Sequence, residues 1–353
     1  MGCLASCEQI RELVNRMFRQ VGLTAEDAES VTDMLLDADI RGVRSHGVIR
    51  LKQYVEKICS GGADPNAKMI ILRESPVSAV LNANGGLGGI AGELAVRIAR
   101  EKAAQSGLGL VTVINSNHFG MAGHWSLKLA GEEMIGFSCS NTFPSMPAPG
   151  AIKPSVGNNP FSVAFHTEKY PEICVDMACS AAAYGKMKDM VQRGQTIPAG
   201  WMYDKKGNST QDFEAYSMLV PFAGHKGYCV AFGIEMLTAL LSGGALAFEM
   251  NRQSIPNIPE RSSQCFIAVN ISVFRELEQF RADAERYIDY IKSLPARQGE
   301  PPAKYPGELE YRNKQDSLEK GIELSSALAE ELREVADSLC LPDDCSAFLS
   351  SDG

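Results

Sequence analysis

The segment Asn84-Gly85-Gly86-Leu87-Gly88-Gly89-Ile90-Ala91 constrains the fold more than any other. It follows a run, Ser78 to Asn82, that reads as a strand, and precedes a helical pattern from Gly92 to Gln105 and a second apolar run, Leu108 to Ile114. Strand, glycine turn, helix and strand in that order commit the chain to a mixed α/β fold. Gly86, Gly88 and Ala91 satisfy the GxGxxG/A dinucleotide pattern in that setting. The full fingerprint also needs an acidic residue at the end of the second strand to hold a ribose, and this strand ends in Asn115-Ser116-Asn117. The glycine run is therefore read as a tight packed turn.

Before this unit the pattern is helical. Ile10, Val14, Met17, Phe18 and Val21 recur at helical spacing, Thr24 is placed to cap a second helix that runs out near Gly42, and a third covers Leu51 to Cys59. After it, the strand-like runs Ile135–Cys139, Phe161–Phe165 and Ile173–Asp176 alternate with loops. Helices return at Tyr228–Leu241, Arg275–Ser293 and Ala327–Leu339, with a strand at Ile267–Val269 and a surface connection at Pro295–Pro306. The apolar stretch Gly227–Met250 has the length of a membrane span, but Glu235 near its middle and Gly243-Gly244 favour a buried helix running into a turn. Met1-Gly2-Cys3-Leu4-Ala5-Ser6 fits a myristoylation pattern and equally the start of the first helix; the second reading is preferred.

Charge narrows the partners. Lys and Arg number 34 against 43 Asp and Glu, a net charge of −9, with no basic block, so a nucleic-acid surface is not expected. Ten cysteines without a CxxC pair or a spaced framework suggest reduced thiols in the cytoplasm. No Walker A, GxSxG or HExxH motif occurs, and no metal set is visible. His118 stands at the end of a hydrophobic strand among small polar residues, where α/β proteins place their sites; a loop histidine capping the next helix is the competing reading. In Arg44-Ser45-His46-Gly47-Val48-Ile49-Arg50, two guanidinium groups, a hydroxyl and an imidazole can converge on one anion, although a solvated helix end would look the same. Gly157-Asn158-Asn159-Pro160 and Gly224-His225-Lys226-Gly227 suit close backbone approach to a ligand.

Five segments taken together, 38–50, 115–123, 157–160, 175–186 and 224–228, resemble the malate/L-lactate dehydrogenase family of the second type. That group also holds ureidoglycolate, sulfolactate and diketogulonate oxidoreductases and a cyclic imine reductase. The resemblance implies a non-Rossmann, largely antiparallel NAD(P)-binding domain (121–264) beside a helical domain built from both chain ends (1–120 with 265–353), in a homodimer with its active site near the interface. It places the family's acid/base histidine on His118 and its substrate contacts on Ser45, His46, Arg50 and Asn159. Cofactor contacts fall on Thr142, Asp176, Met177, Ala178 and Lys226. The implied activity is hydride transfer between NAD(P)H, NAD rather than NADP, and a small anionic 2-oxo or 2-hydroxy acid. A cyclic imino acid reductase of the same fold and a non-enzymatic nucleotide-binding scaffold are the alternatives. Cys229 in place of a glycine, Asn158 in place of a threonine, the stretch Ala178–Ala183 and a short loop at Tyr203–Pro221 depart from the family pattern.

Overall fold

The computed structural model describes residues 3–192 and 194–349; Met1 and Gly2, on which the lipidation pattern rests, lie outside them. The chain does not open with a helix. Cys3–Ala5 pairs antiparallel with Ile322–Leu324, and the first helix begins only after Ser6, whose hydroxyl accepts the Gln9 N–H while the Gln9 side chain accepts the Ser6 N–H. Helices α1 (Cys7–Gln20), α2 (Ala25–Ile40) and α3 (Leu51–Cys59) follow, with Thr24 capping α2 as expected.

Next comes a seven-stranded mixed sheet of β1 (Ile70–Glu74), β2 (Ser78–Asn82), β3 (Leu108–Ser116), β4 (Met134–Ser140), β5 (Phe161–Phe165), β6 (Ile173–Met177) and β7 (Ser262–Asn270). Their spatial order is β1-β2-β3-β7-β4-β5-β6. Only β2 and β3 run parallel, joined by α4 (Gly88–Ser106); the remaining neighbours are antiparallel. The late strand β7 is thus inserted in the middle. Its side chains alternate as a strand buried on both faces requires. Phe266 and Ala268 join the core under α1–α4 and α5 (Ala122–Ala130), while Cys265 joins a second core on the opposite face with Cys139, Met202 and Ile234.

The glycine run is filled by the protein itself. Asn84 and Gly85 take positive φ (49° and 80°) to turn the chain, and α4 starts at Gly88, earlier than Gly92. A Cβ on Gly88 would lie 2.3 Å from the His118 carbonyl oxygen, and one on Gly92 would lie 2.7 Å from the Trp125 ring. The turn is a packing device that seats the residues around His118.

Other helices also differ from the sequence reading. α6 (Tyr184–Gln192) and α9 (Glu308–Lys320) escaped it; α9 is so polar that no apolar stripe marks it, and ion pairs hold it, Glu308 to Lys292 and Lys314 to Glu172. α7 (His225–Glu235) begins earlier than expected and passes into a π-helical turn, Met236–Leu240. It is buried on one face only. Glu235 is sequestered, receiving Asn141 Nδ2 (3.3 Å) and the Ala247 N–H (2.9 Å), but Phe232, Met236, Leu240 and Leu241 form an apolar ridge about half exposed. Two further helices, α8 (Leu277–Ser293) and α10 (Ser326–Ser338), complete the set. Among the described residues no helix is long and apolar enough to cross a membrane.

Candidate active site

A cavity of about 730 Å³ opens where the α2–α3 connection, the loop after β3, the end of β6 and the 251–260 loop meet. Ser45, His46, Arg50, His118, Thr142, Asp176, Met177 and Ala178 all line it.

The backbone is strained on both central strands. Asn115 (φ 53°) on β3 and Arg261 (φ 64°) just before β7 adopt left-handed conformations that non-glycine residues rarely take, a few residues from His118 and next to Glu260, which line the cavity. His118 leaves this turn with its ring stacked on His46, centroids 5.6 Å apart. Its Nδ1 lies 2.6 Å from the Tyr54 hydroxyl and receives the Gly120 N–H at 3.3 Å. The Tyr54 hydroxyl donates to Nδ1 when the proton of the neutral ring sits on Nε2 and accepts from it when the proton sits on Nδ1; the Gly120 N–H favours the first tautomer at rest. Burial, then His46 and Arg50, hold the His118 pKa well below the usual range. His46 is lowered to about 4 by burial and Arg50. Both rings are therefore neutral at rest.

Arg50 supplies the cation. Its Nε donates to the Ser45 carbonyl (2.7 Å) and an Nη to Gln53, and it forms no ion pair among the described residues. The Ser45 hydroxyl contacts His46 Nδ1 at 2.9 Å. This turn is clamped from below by Asp39, whose carboxylate accepts the Val48 N–H at 2.7 Å and packs so tightly on Gly47 that a Cβ there would collide with it. Arg41, by contrast, is committed: it pairs with Asp37 (2.8 Å) and Glu172, while His124 holds the other Asp37 oxygen at 2.9 Å. That buried network, whose Arg41 and Glu172 line the cavity, ties α2, α5 and α9 to the start of β6.

Two of the expected contacts do not reach the cavity wall. Asn159 is fully buried; its Oδ1 accepts the Thr142 N–H (2.9 Å) and its Nδ2 donates to the Ala231 carbonyl (2.8 Å), so it braces the Thr142 loop against α7 instead of facing a substrate. Asn158 lines the cavity and bonds the Thr142 hydroxyl (2.9 Å). Lys226 is exposed near the start of α7, beside a smaller cavity of about 290 Å³ lined by His225 and Tyr228. Asp176 does face the cavity; its carboxylate accepts the Gly123 N–H (3.0 Å), and burial raises its pKa to about 6. Lys304 to Gly307 also line the cavity, so the end of the proline-rich connection is not merely surface.

Tyr54 and Glu260 escaped sequence reasoning. Tyr54 sits on the buried face of α3, where its spacing signals core, and Glu260 lies in an aperiodic loop. An aromatic hydroxyl facing a strand-end histidine has no local sequence signature.

A family model described as malate/L-lactate dehydrogenase matches residues 5–333. A malate dehydrogenase of Pyrococcus abyssi is 34% identical over 342 residues, 93% of each chain. The L-sulfolactate dehydrogenase of Methanocaldococcus jannaschii is 33% identical over 336 residues, 95% of this chain and 96% of that one. Its solved structure superimposes with a TM-score of 0.90, covering 98% of this chain and 99% of that one. A ureidoglycolate dehydrogenase (NAD(+)) of Escherichia coli is 29% identical over 339 residues, 95% of each chain.

Proposed function

The chain belongs to the malate/L-lactate dehydrogenase family, and on that premise we propose that it moves a hydride between a nicotinamide cofactor and C2 of a small 2-oxo or 2-hydroxy acid, with His118 handling the proton. The observation that carries this reading is the convergence on one cavity of His118, His46, Ser45 and Arg50, which forms no ion pair among the described residues.

The residues present fit such a cofactor. The cavity continues from His118 past Thr142 to Met177 and Ala178, and its volume exceeds what a small acid fills. Thr142, Asp176, Met177 and Ala178 would hold the cofactor, Lys226 would reach it from the start of α7, and NAD is the form we propose. When bound, the nicotinamide supplies or accepts the hydride. The acid's carboxylate meets the Arg50 guanidinium, whose two-pronged geometry suits it, with the Ser45 hydroxyl beside it. Oxygen at C2 faces Nε2 of His118. In reduction the protonated ring gives up its Nε2 proton as the carbonyl oxygen gains charge and keeps its Nδ1 proton bonded to Tyr54; in oxidation that Nδ1–H tautomer takes a proton back at Nε2. A phenol both donates and accepts, so Tyr54 stays bonded to Nδ1 in either state. Carboxylate binding also neutralises Arg50, one of the charges that keep His118 deprotonated, so substrate arrival favours proton uptake at His118.

In the same reading residues 1–120 and 265–353 form the substrate end and 121–264 the cofactor end of a non-Rossmann fold, with β7 straddling the boundary. The exposed ridge of Phe232, Met236, Leu240 and Leu241 supports a homodimer, because an apolar strip of this kind suits a second copy. Reduced thiols fit a cytoplasmic enzyme.

The test is loss of NADH and NADPH absorbance against oxaloacetate, pyruvate, sulfopyruvate, 2-oxo sugar acids and cyclic imino acids. Turnover of an oxo acid that His118→Ala abolishes, with NADH affinity retained, supports the proposal. Turnover that survives His118→Ala would overturn the role of that residue.

A further inference from the structure

The cavity lining carries two polar groups that the chemistry above does not use. Glu260 is only 4% exposed, and its backbone is fixed: the N–H donates to Asn117 Oδ1 (3.0 Å) and the carbonyl accepts the Asn251 N–H (3.1 Å). Its carboxylate lies near the His118 backbone N–H, and Oε2 has no partner although it is buried. Gln253 lines the same cavity, and its Nε2 is likewise buried without an acceptor. Lys57 lies between them, donating to the Ile255 carbonyl (3.1 Å) and the Gln253 carbonyl (3.5 Å). Buried polar atoms without partners are uncommon, and two in one cavity lining beside a reactive histidine mark a place where a ligand completes the bonding.

We propose that Glu260 and Gln253 form a distal subsite selecting a 2-oxo or 2-hydroxy acid that ends in a neutral group with both a hydrogen-bond donor and an acceptor, such as a carboxamide or ureido group, over one ending in a second anion. This rests on the reading that Arg50 takes the C1 carboxylate. A terminal carboxamide offers its N–H to Glu260 Oε2 and its carbonyl to the Gln253 amide, satisfying both orphan atoms at once. A terminal carboxylate or sulfonate satisfies Gln253 alone and sets a negative charge against Glu260. The cations facing Glu260 offset that repulsion only in part: Arg50 is engaged by the C1 carboxylate, and Lys57, bonded to two carbonyls, remains as a single positive charge. Burial raises the Glu260 pKa to about 7, opposed by Lys57, the His118 N–H and Arg50. Above that pH the ionised carboxylate rejects an anion. Below it the protonated group becomes a donor and tolerates one.

The experiment compares kcat/KM for 2-oxosuccinamate and oxaloacetate with NADH at about pH 6 and about pH 8. Both substrates share the reacting end, so titration of His118 cancels in their ratio. The amide is expected to be preferred by about tenfold or more at the higher pH, as one bond to a charged group is worth, with a smaller ratio at the lower pH. Glu260→Gln is expected to make the ratio independent of pH; if that variant fails to fold, Gln253→Leu should lower amide turnover about tenfold. Preference for oxaloacetate at both pH values, or an unchanged ratio in the variants, overturns the proposal. Turnover of neither substrate would count against the dehydrogenase reading. Calorimetry of succinamate and succinate binding to the protein–NADH complex then decides the subsite: tighter succinamate supports it, and equal or tighter succinate overturns it.

Discussion

The Tyr54 hydroxyl lies 2.6 Å from Nδ1 of His118, closer than any other polar contact to that ring. The bond fixes which nitrogen faces the cavity and keeps the ring stacked on His46. Tyr54→Phe keeps the packing and removes only that bond. We expect kcat to fall about tenfold, as loss of one well-placed hydrogen bond implies, with KM for NADH unchanged. A parallel rise in KM for NADH, read from the same steady-state kinetics, would show that Tyr54 merely supports the fold.

Arg50 is positioned through its Nε and one Nη and is otherwise unpaired among the described residues. Arg50→Lys retains the charge but loses the planar fork. KM for the oxo acid should rise by about tenfold or more, and KM for NADH should barely move. Equal effects on both would remove the carboxylate from this position.

The depressed pKa of His118 sets a sign for the pH profile. Reduction needs the protonated ring, which the free enzyme holds only below its lowered pKa. Hence kcat/KM for reduction should fall with rising pH, approaching about tenfold per unit across the neutral range. The oxidation direction, which starts from the neutral ring, should stay flat there. A reduction profile that rises with pH would exclude His118 as the acid.

Gly88 touches the carbonyl oxygens of His118 and Asn117, which a Cβ would approach to 2.3 and 2.4 Å. Gly88→Ala should lower stability by about 1–3 kcal/mol, the usual range for overpacking, and reduce kcat by displacing His118. Thermal unfolding and kcat measured on one preparation check both; wild-type kcat would mean that the helix start moves without the histidine.

What could be read in the chain divides along physical lines. Periodicity revealed α1, α2, α3 and six of the seven sheet strands because each buries a regular face. It missed α9, whose stability comes from ion pairs, and β1, whose five residues are all exposed. His118, Ser45, His46 and Arg50 were singled out by the family resemblance, because the local pattern alone fits a loop histidine and a solvated helix end equally well, and the fold brings them to one cavity. Tyr54 was hidden by its own apolar body, which obeys the helical stripe. Asn159 misled for the opposite reason: an amide in a Gly-Asn-Asn-Pro turn looks available to a ligand, and only the fold shows its bonds consumed by Thr142 and Ala231. Among the described residues no helix in the apolar run Gly227–Met250 is long and apolar enough to cross a membrane, and a single chain does not bury its ridge.

The central strand of the sheet comes from near the end of the chain. β3 and β4 cannot be bridged until residues 262–270 have left the ribosome, and both sides of the cavity wait on that one strand. Its pairings with Leu108–Ser116 and Met134–Ser140 are among the most distant in sequence, and contacts of such separation form slowly. A nascent chain must therefore carry two open apolar strand edges until that strand is made, with His118 already synthesised but not yet framed.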